Sequence, residues 1–305
     1  MNNQERMNSI ALSSDRNNGS TVNDDLIREL MVLLRQNAKH SAYQMLPDCL
    51  GVVGTDLAQG VGFKRQDDKR YNWLASKLTN LSGTVVDIGA NLGYFTFQLL
   101  KDYSVDVIAY EPYEPHARVI SIIRELCGYK ETRLRVMNQG VGLREIDLLP
   151  ESNLLLLLNV IQHAGEDYDA DLVRTVDEWR NYAISYLAKL RDKTDMLFFQ
   201  MGYTWLGHDA KLCSDDEIID FTAKLLTDAG WTIKHCGVIS KHALPITYED
   251  YSVSLTSHNP VYLGERKRSL LPKLTARLQS LLSLPSAEKF ISYRFAQRPL
   301  WLCER

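Results

Sequence analysis

No stretch of this 305-residue chain reaches the roughly 18 uninterrupted apolar residues that a membrane span requires. The opening MNNQERMNSIALSSDRNNGS also lacks the basic-then-apolar order of a secretory signal, so an intracellular, cytoplasmic protein is expected. CxxC pairs are missing. The five cysteines, Cys49, Cys127, Cys213, Cys236 and Cys303, are odd in number and far apart, which suggests neither a zinc site nor a disulfide framework. Reduced thiols and no bound metal are expected. There is no dense basic block, and the net charge of -3 argues against a protein that holds nucleic acid by phosphate neutralisation alone. DNA is not an expected partner, whereas RNA stays open as a substrate. Internal repeats are absent too. What is present is an ordinary globular balance, 45% hydrophobic and 24% charged residues, consistent with one main domain and additions.

Residues 1–22 are rich in Asn, Ser and charge and cannot offset the entropy of ordering, so they read as a disordered tail. From Asn23, NDDLIRELMVLLRQ predicts a helix with acids in its first turn and Leu26, Leu30, Leu33 and Leu34 on one stripe. A glycine-bearing loop from Leu50 to Gly62 follows, and 23–64 together read as an N-terminal helical cap or lid. KRYNWLASKLTNLSG predicts a second helix ending near Ser82 and Gly83. Strand and helix signals then alternate: TVVDIG, VDVIAYE, RLRVMNQG, SNLLLLLNV, DMLFFQMG and WTIKHCGVI as strands, with amphipathic segments between them. The last of these segments opens on a capping box from Ser214 to Glu217. Parallel neighbours need crossovers, so 65–305 is expected to be a three-layer α/β domain. Two segments compete for its closing strand, PVYLGE near Tyr262 and RPLWLCE near Trp301.

The segment VVDIGANLGYFT carries the first chemistry. A dinucleotide fingerprint would need glycines at the positions that Gly89, Asn91 and Tyr94 occupy. The Asn91 side chain would crowd a pyrophosphate, and Tyr94 stands where a packing glycine belongs. S-adenosylmethionine fits better, because it has no phosphate but carries an ammonium, a carboxylate and a sulfonium. Asp87 supplies an acid at the strand end, and Gly89 and Gly93 let backbone approach the amino-acid part. About twenty residues on, at the end of the next strand, Glu111 can accept from both ribose hydroxyls. Asp87, Gly89, Ala90, Asn91, Gly93 and Glu111 are the cofactor candidates.

On these residues, the segment from about 65 to 240 resembles the class I S-adenosylmethionine-dependent methyltransferases, with VVDIGANLGYFT as first motif and YEP carrying the ribose acid. The resemblance implies a Rossmann-like sheet, mostly parallel, of about seven strands with the last antiparallel. It also implies that Asn138 and Gln139 lie near the adenine, although an aspartate is common there. Asn159, by the same resemblance, faces the methionine moiety. Independently, ligands of open parallel sheets sit outside the strand carboxyl ends where strand order reverses.

An acceptor hydroxyl must lose a proton, and NVIQHAGEDYD offers His163 as base with Asp167 close behind to orient it. The alternative is a histidine that packs beneath the cofactor. QMGYTWLGHD supplies Tyr203, Trp205 and His208, either to stack on a sugar or base or as packed rim residues. Arg70 and Trp73, just before the first strand, are further acceptor-binding candidates; Arg70 would reach a carboxylate or phosphate, or else form a surface salt bridge. Leucines and Arg or Lys side chains over 266–282 form a basic amphipathic helix that suits an anionic membrane or polyanion, or packs on its own domain. The leading expectation is O-methylation of a sugar or other hydroxylated acceptor, in surface glycan synthesis. The alternatives are a tRNA-modifying carboxymethyltransferase and a silent methyltransferase-like binding subunit.

Overall fold

The computed structural model describes residues 19–35, 44–58, 66–205, 210–214, 216–240, 247–252 and 298–305. Three helices come first: α1 (Gly19–Leu34), α2 (Gly51–Ala58) and α3 (Asp67–Ala75). Next come β1 (Ser82–Ile88), α4 (Tyr94–Asp102), β2 (Ser104–Tyr110), α5 (Glu114–Leu126), β3 (Leu134–Met137), β4 (Ser152–Leu158), α6 (Val176–Leu190) and β5 (Thr194–Gln200). A small hairpin, β6 (Thr204–Trp205) and β7 (Ala210–Lys211), precedes α7 (Ile218–Asp228), β8 (Thr232–Ile239), β9 (Tyr248–Asp250) and β10 (Leu300–Glu304).

The main sheet has eight strands in the order β3-β2-β1-β4-β5-β10-β8-β9. β1 to β5 are mutually parallel, and β10 runs antiparallel between β5 and β8. This settles the competition for the closing strand in favour of the segment at Trp301. It also adds one strand to the expected seven, because β9 pairs antiparallel with β8. The Tyr262 segment and the basic helix at 266–282 fall outside the described residues.

β1 and β4 read as continuous apolar runs because both faces of the central sheet are covered. Val85, Leu154 and Phe198 face the core beneath α4 and α5, while Val86, Leu155 and Phe199 face the one beneath α6 and α7. Along each strand adjacent residues thus supply opposite layers. Strand order reverses at β1, which lies between β2 and β4, and the crevice above it is where a ligand is expected.

Several boundaries differ from the sequence expectation. α1 begins at Gly19, so Asp24 and Asp25 fall beyond its first turn, where Asp25 pairs with Arg28 at 2.9 Å. Its leucine stripe does face inward, with Leu30 and Leu34 buried and Leu26 and Leu33 packed beside them. The loop expected from Leu50 is partly the helix α2, and α3 stops at Ala75, well short of Ser82. The expectation of five free thiols is corrected at one pair. Cys49 and Cys127 form a disulfide across 78 residues, because the N-terminal segment folds back onto the C-terminal end of α5. Spacing that long carries no local signal.

Candidate functional site

The loop between β1 and α4 turns through three positive-φ residues, Gly89 (φ 74), Asn91 (φ 55) and Gly93 (φ 79). At Gly89 a side chain is also excluded by space, since a Cβ there would lie 2.5 Å from Val160 Cγ2 in the loop after β4. The Gly89 backbone at the end of β1 is thus covered by the Val160 side chain from the loop after β4.

Every N–H of this loop is engaged. Gly89 and Ala90 donate to Tyr110 O at 2.8 and 3.1 Å, and Gly93 donates to Ala90 O at 2.9 Å. Asn91 N–H donates to Glu111 Oε2 at 2.7 Å, and Tyr113 N–H donates to Glu111 Oε1 at 3.0 Å. Leu92 and Tyr94 donate to a single acceptor, Gln44 Oε1, at 3.0 and 3.2 Å. A helix start with free N–H groups is where a pyrophosphate binds. Here the chain's own Gln44 fills that place, which agrees with the argument against a dinucleotide.

Two carboxyls flank the loop. Asp87, at the end of β1, is buried and accepts from Thr96 Oγ1 at 2.7 Å; burial raises its pKa to about 6 against that bond. Glu111 is buried at the end of β2, and burial raises its pKa to about 7 although the Tyr113 and Asn91 N–H groups oppose the shift. Burial without a counter-charge marks both as candidate ligand-binding groups, because a cation or hydroxyl donor arriving there would favour their charged form. His116 lies behind them, its Nδ1 3.2 Å from Asn91 Nδ2 and 4.0 Å from Glu111 Oε1. Asn91 Oδ1 is buried without a hydrogen-bond partner, an orphan that a bound ligand would satisfy.

Asn138 donates from Nδ2 to the backbone oxygens of Glu111 and Pro112, at 3.0 and 3.1 Å, so it braces the turn after β2. Gln139 follows it on the exposed rim. Asn159, at φ 60, ends β4 beside this crevice. It sits in a buried polar chain: Arg298 Nη1 donates to Asn159 Oδ1 at 2.6 Å, and Asn159 Nδ2 to Gln200 Oε1 at 2.9 Å. Arg70 Nη1 donates to the same Gln200 oxygen at 3.0 Å, and Arg70 also pairs with Asp67.

The residues expected on the acceptor side divide. His163 is half-exposed, and its Nδ1 lies 3.2 Å from Asp167 Oδ2. Glu166 joins them, with one potential ligand atom from each within 4.8 Å of one another. Trp73 is corrected to the core, since it stacks on Phe198 at 6.2 Å, donates to Asp250 Oδ1 at 3.0 Å, and leaves no room for a Cβ at Gly237. Trp205 takes the packed alternative: it is buried and donates to Ala164 O at 2.7 Å, holding the His163 loop in place. Arg70 is neither a surface ion pair nor an open cation but a buried partner of Asp67 and Gln200. Tyr203 is buried with the Arg298 guanidinium 5.9 Å from its ring centre. His208 lies outside the described residues.

No protein-family model and no curated protein sequence matches the chain. Solved structures do. A structure of WbdD, a bifunctional kinase-methyltransferase, superposes with a TM-score of 0.50 at 13% identity, over 90% of this chain and 68% of that one. The cyclopropane synthase MmaA2 from Mycobacterium tuberculosis gives 0.42 at 12% identity, over 91% and 94%. In a structure of monomeric WbdD only 37% of that chain is covered. The fold is that of the class I methyltransferases. In this methyltransferase fold the Gly89 loop, Glu111 and Asn159 meet at one crevice, as their positions after β1, β2 and β4 anticipate. Gln44, Thr96, His116 and Arg298 also reach that crevice or brace it. None of them stands in a pattern that spacing could reveal.

Proposed function

We propose that the protein is an S-adenosylmethionine-dependent methyltransferase that acts on a hydroxyl acceptor, with a sugar or other hydroxylated metabolite in a surface glycan as the favoured substrate. The observation that carries the cofactor reading is Glu111. Its buried carboxylate sits at the end of β2, tied to the N–H of Asn91 in the glycine loop, while Gln44 occupies the place a phosphate would need. The residues present fit the cofactor: Glu111 accepts ribose hydroxyls, Asp87 accepts from the ammonium, and Asn91 Oδ1 gains a partner.

Once bound, the cofactor supplies an electrophilic methyl group, and the chain's own task is to align the acceptor oxygen and take its proton. Nε2 of His163 is the group for that proton. Asp167, at 3.2 Å from Nδ1, orients the ring and stabilises the imidazolium that forms. Trp205, bonded to Ala164 O, keeps this loop fixed over β4.

Supplying methyl-labelled S-adenosylmethionine and the purified protein to a cell extract tests the acceptor. Label in lipid-linked or free saccharide supports the reading. Label confined to RNA would transfer it to the tRNA-modifying alternative, and none in any fraction to a silent binding subunit.

A further inference from the structure

The residues 44–50 form a strap over the glycine loop. Met45 N–H donates to Asp67 Oδ2 at 2.8 Å, Asp48 accepts from Gln98 and Lys101 at 3.1 and 2.9 Å, and Cys49 is bonded to Cys127. At its leading end Gln44 is 7% exposed. Its oxygen receives the two N–H groups at the start of α4, a nine-residue helix. Its nitrogen makes no hydrogen bond among the described residues.

That asymmetry has a chemical reading. A helix start favours negative charge, and a ligand carboxylate would normally take these N–H groups directly. Gln44 stands between. Its oxygen takes the N–H groups, which polarises the carboxamide and strengthens its own N–H donors. We propose that Gln44 is a cofactor-binding residue: its Nε2 donates to the carboxylate of the methionine part of S-adenosylmethionine, while Asp87, leading into the same loop, takes the ammonium. The amino-acid end of the donor would thus meet one donor and one acceptor from opposite sides of one loop. The inference rests on the methyltransferase reading, and it assigns to a residue of the N-terminal strap a role that the sheet motifs do not include.

Gln44→Glu separates this role from a structural one. The variant keeps the oxygen that the helix start requires, and a carboxylate there is favoured by the helix, so thermal stability is retained. It removes the donor and sets like charge against the cofactor carboxylate. Calorimetric titration with S-adenosylmethionine is expected to show at least tenfold weaker binding for Q44E, while decarboxylated S-adenosylmethionine binds both proteins within about twofold. Equal loss for both ligands, or no loss for either, overturns the proposal. Should Q44E melt early, the same two titrations are made well below its melting transition, where the folded protein alone is read, and are held to the same outcomes. Wild-type protein that binds neither ligand would sink the methyltransferase reading itself, whereas wild-type binding with unchanged variants sinks only the role of Gln44.

Discussion

Glu111 Oε2 lies 2.7 Å from the N–H of Asn91, so the acid that ends β2 is locked to the loop that ends β1. Two separate sequence signals thereby meet at one crevice. The same bond opposes, without cancelling, the burial that raises the Glu111 pKa to about 7.

A pH dependence follows from Glu111 and Asp87. Both carboxyls hold protons more tightly folded than unfolded: Glu111 shifts from 4.5 to about 7 and Asp87 from 3.8 to about 6. Between about pH 4 and 7 the folded chain therefore carries more protons, so stability without ligand falls as pH rises through that window. Binding runs the other way. Ionised Glu111 is the better acceptor, and affinity for S-adenosylmethionine should climb as pH rises toward and past 7. Melting curves and calorimetry across pH 5 to 8 check both slopes, and Glu111→Gln should flatten them; parallel slopes would refute the assignment.

His163→Ala should lower kcat by roughly 10²-fold or more and leave cofactor affinity unchanged. Asp167→Asn should cost less, since it orients the ring across 3.2 Å and does not itself take the acceptor proton. Steady-state kinetics with the identified acceptor decide this. Unchanged turnover in His163→Ala would remove the residue from the mechanism.

Arg70 distinguishes structure from recognition. It is buried against the buried carboxylate of Asp67, so Arg70→Met should cost about 3–5 kcal/mol in chemical denaturation, by stranding that charge. A variant of normal stability that had lost only acceptor affinity would favour the open-cation reading of the sequence instead.

The Cys49–Cys127 bond closes a loop across 78 residues, for which chain entropy gives roughly 4 kcal/mol. Dithiothreitol should lower the denaturation midpoint of the wild type and leave Cys49→Ser unaffected. Two free thiols found by mass spectrometry at these positions would contradict the pairing.

The sheet was legible because buried parallel strands announce themselves as short apolar runs: TVVDI, SNLLLLL and DMLFF all became β1, β4 and β5. The crevice was legible too, since Gly89 and Glu111 follow consecutive strands. What escaped was set by tertiary contact. Trp73 and Trp205 lie next to chemistry in sequence, yet their rings point into the core and only their N–H groups reach out, to Asp250 and Ala164. Gln44 sits in a segment without periodicity, and its meaning appears only when Leu92 and Tyr94 come within reach. α2 was hidden by its glycines, which lower helix propensity but do not prevent a short helix over a packed surface.

The central claim is that the crevice between β1, β2 and β4 holds S-adenosylmethionine through Glu111. Isothermal titration of the purified protein tests it most directly. Saturable one-site binding, weakened at least tenfold in Glu111→Ala while the variant melts as the wild type does, is the predicted result. Absence of binding to the wild type, or equal affinity in the variant, would contradict it.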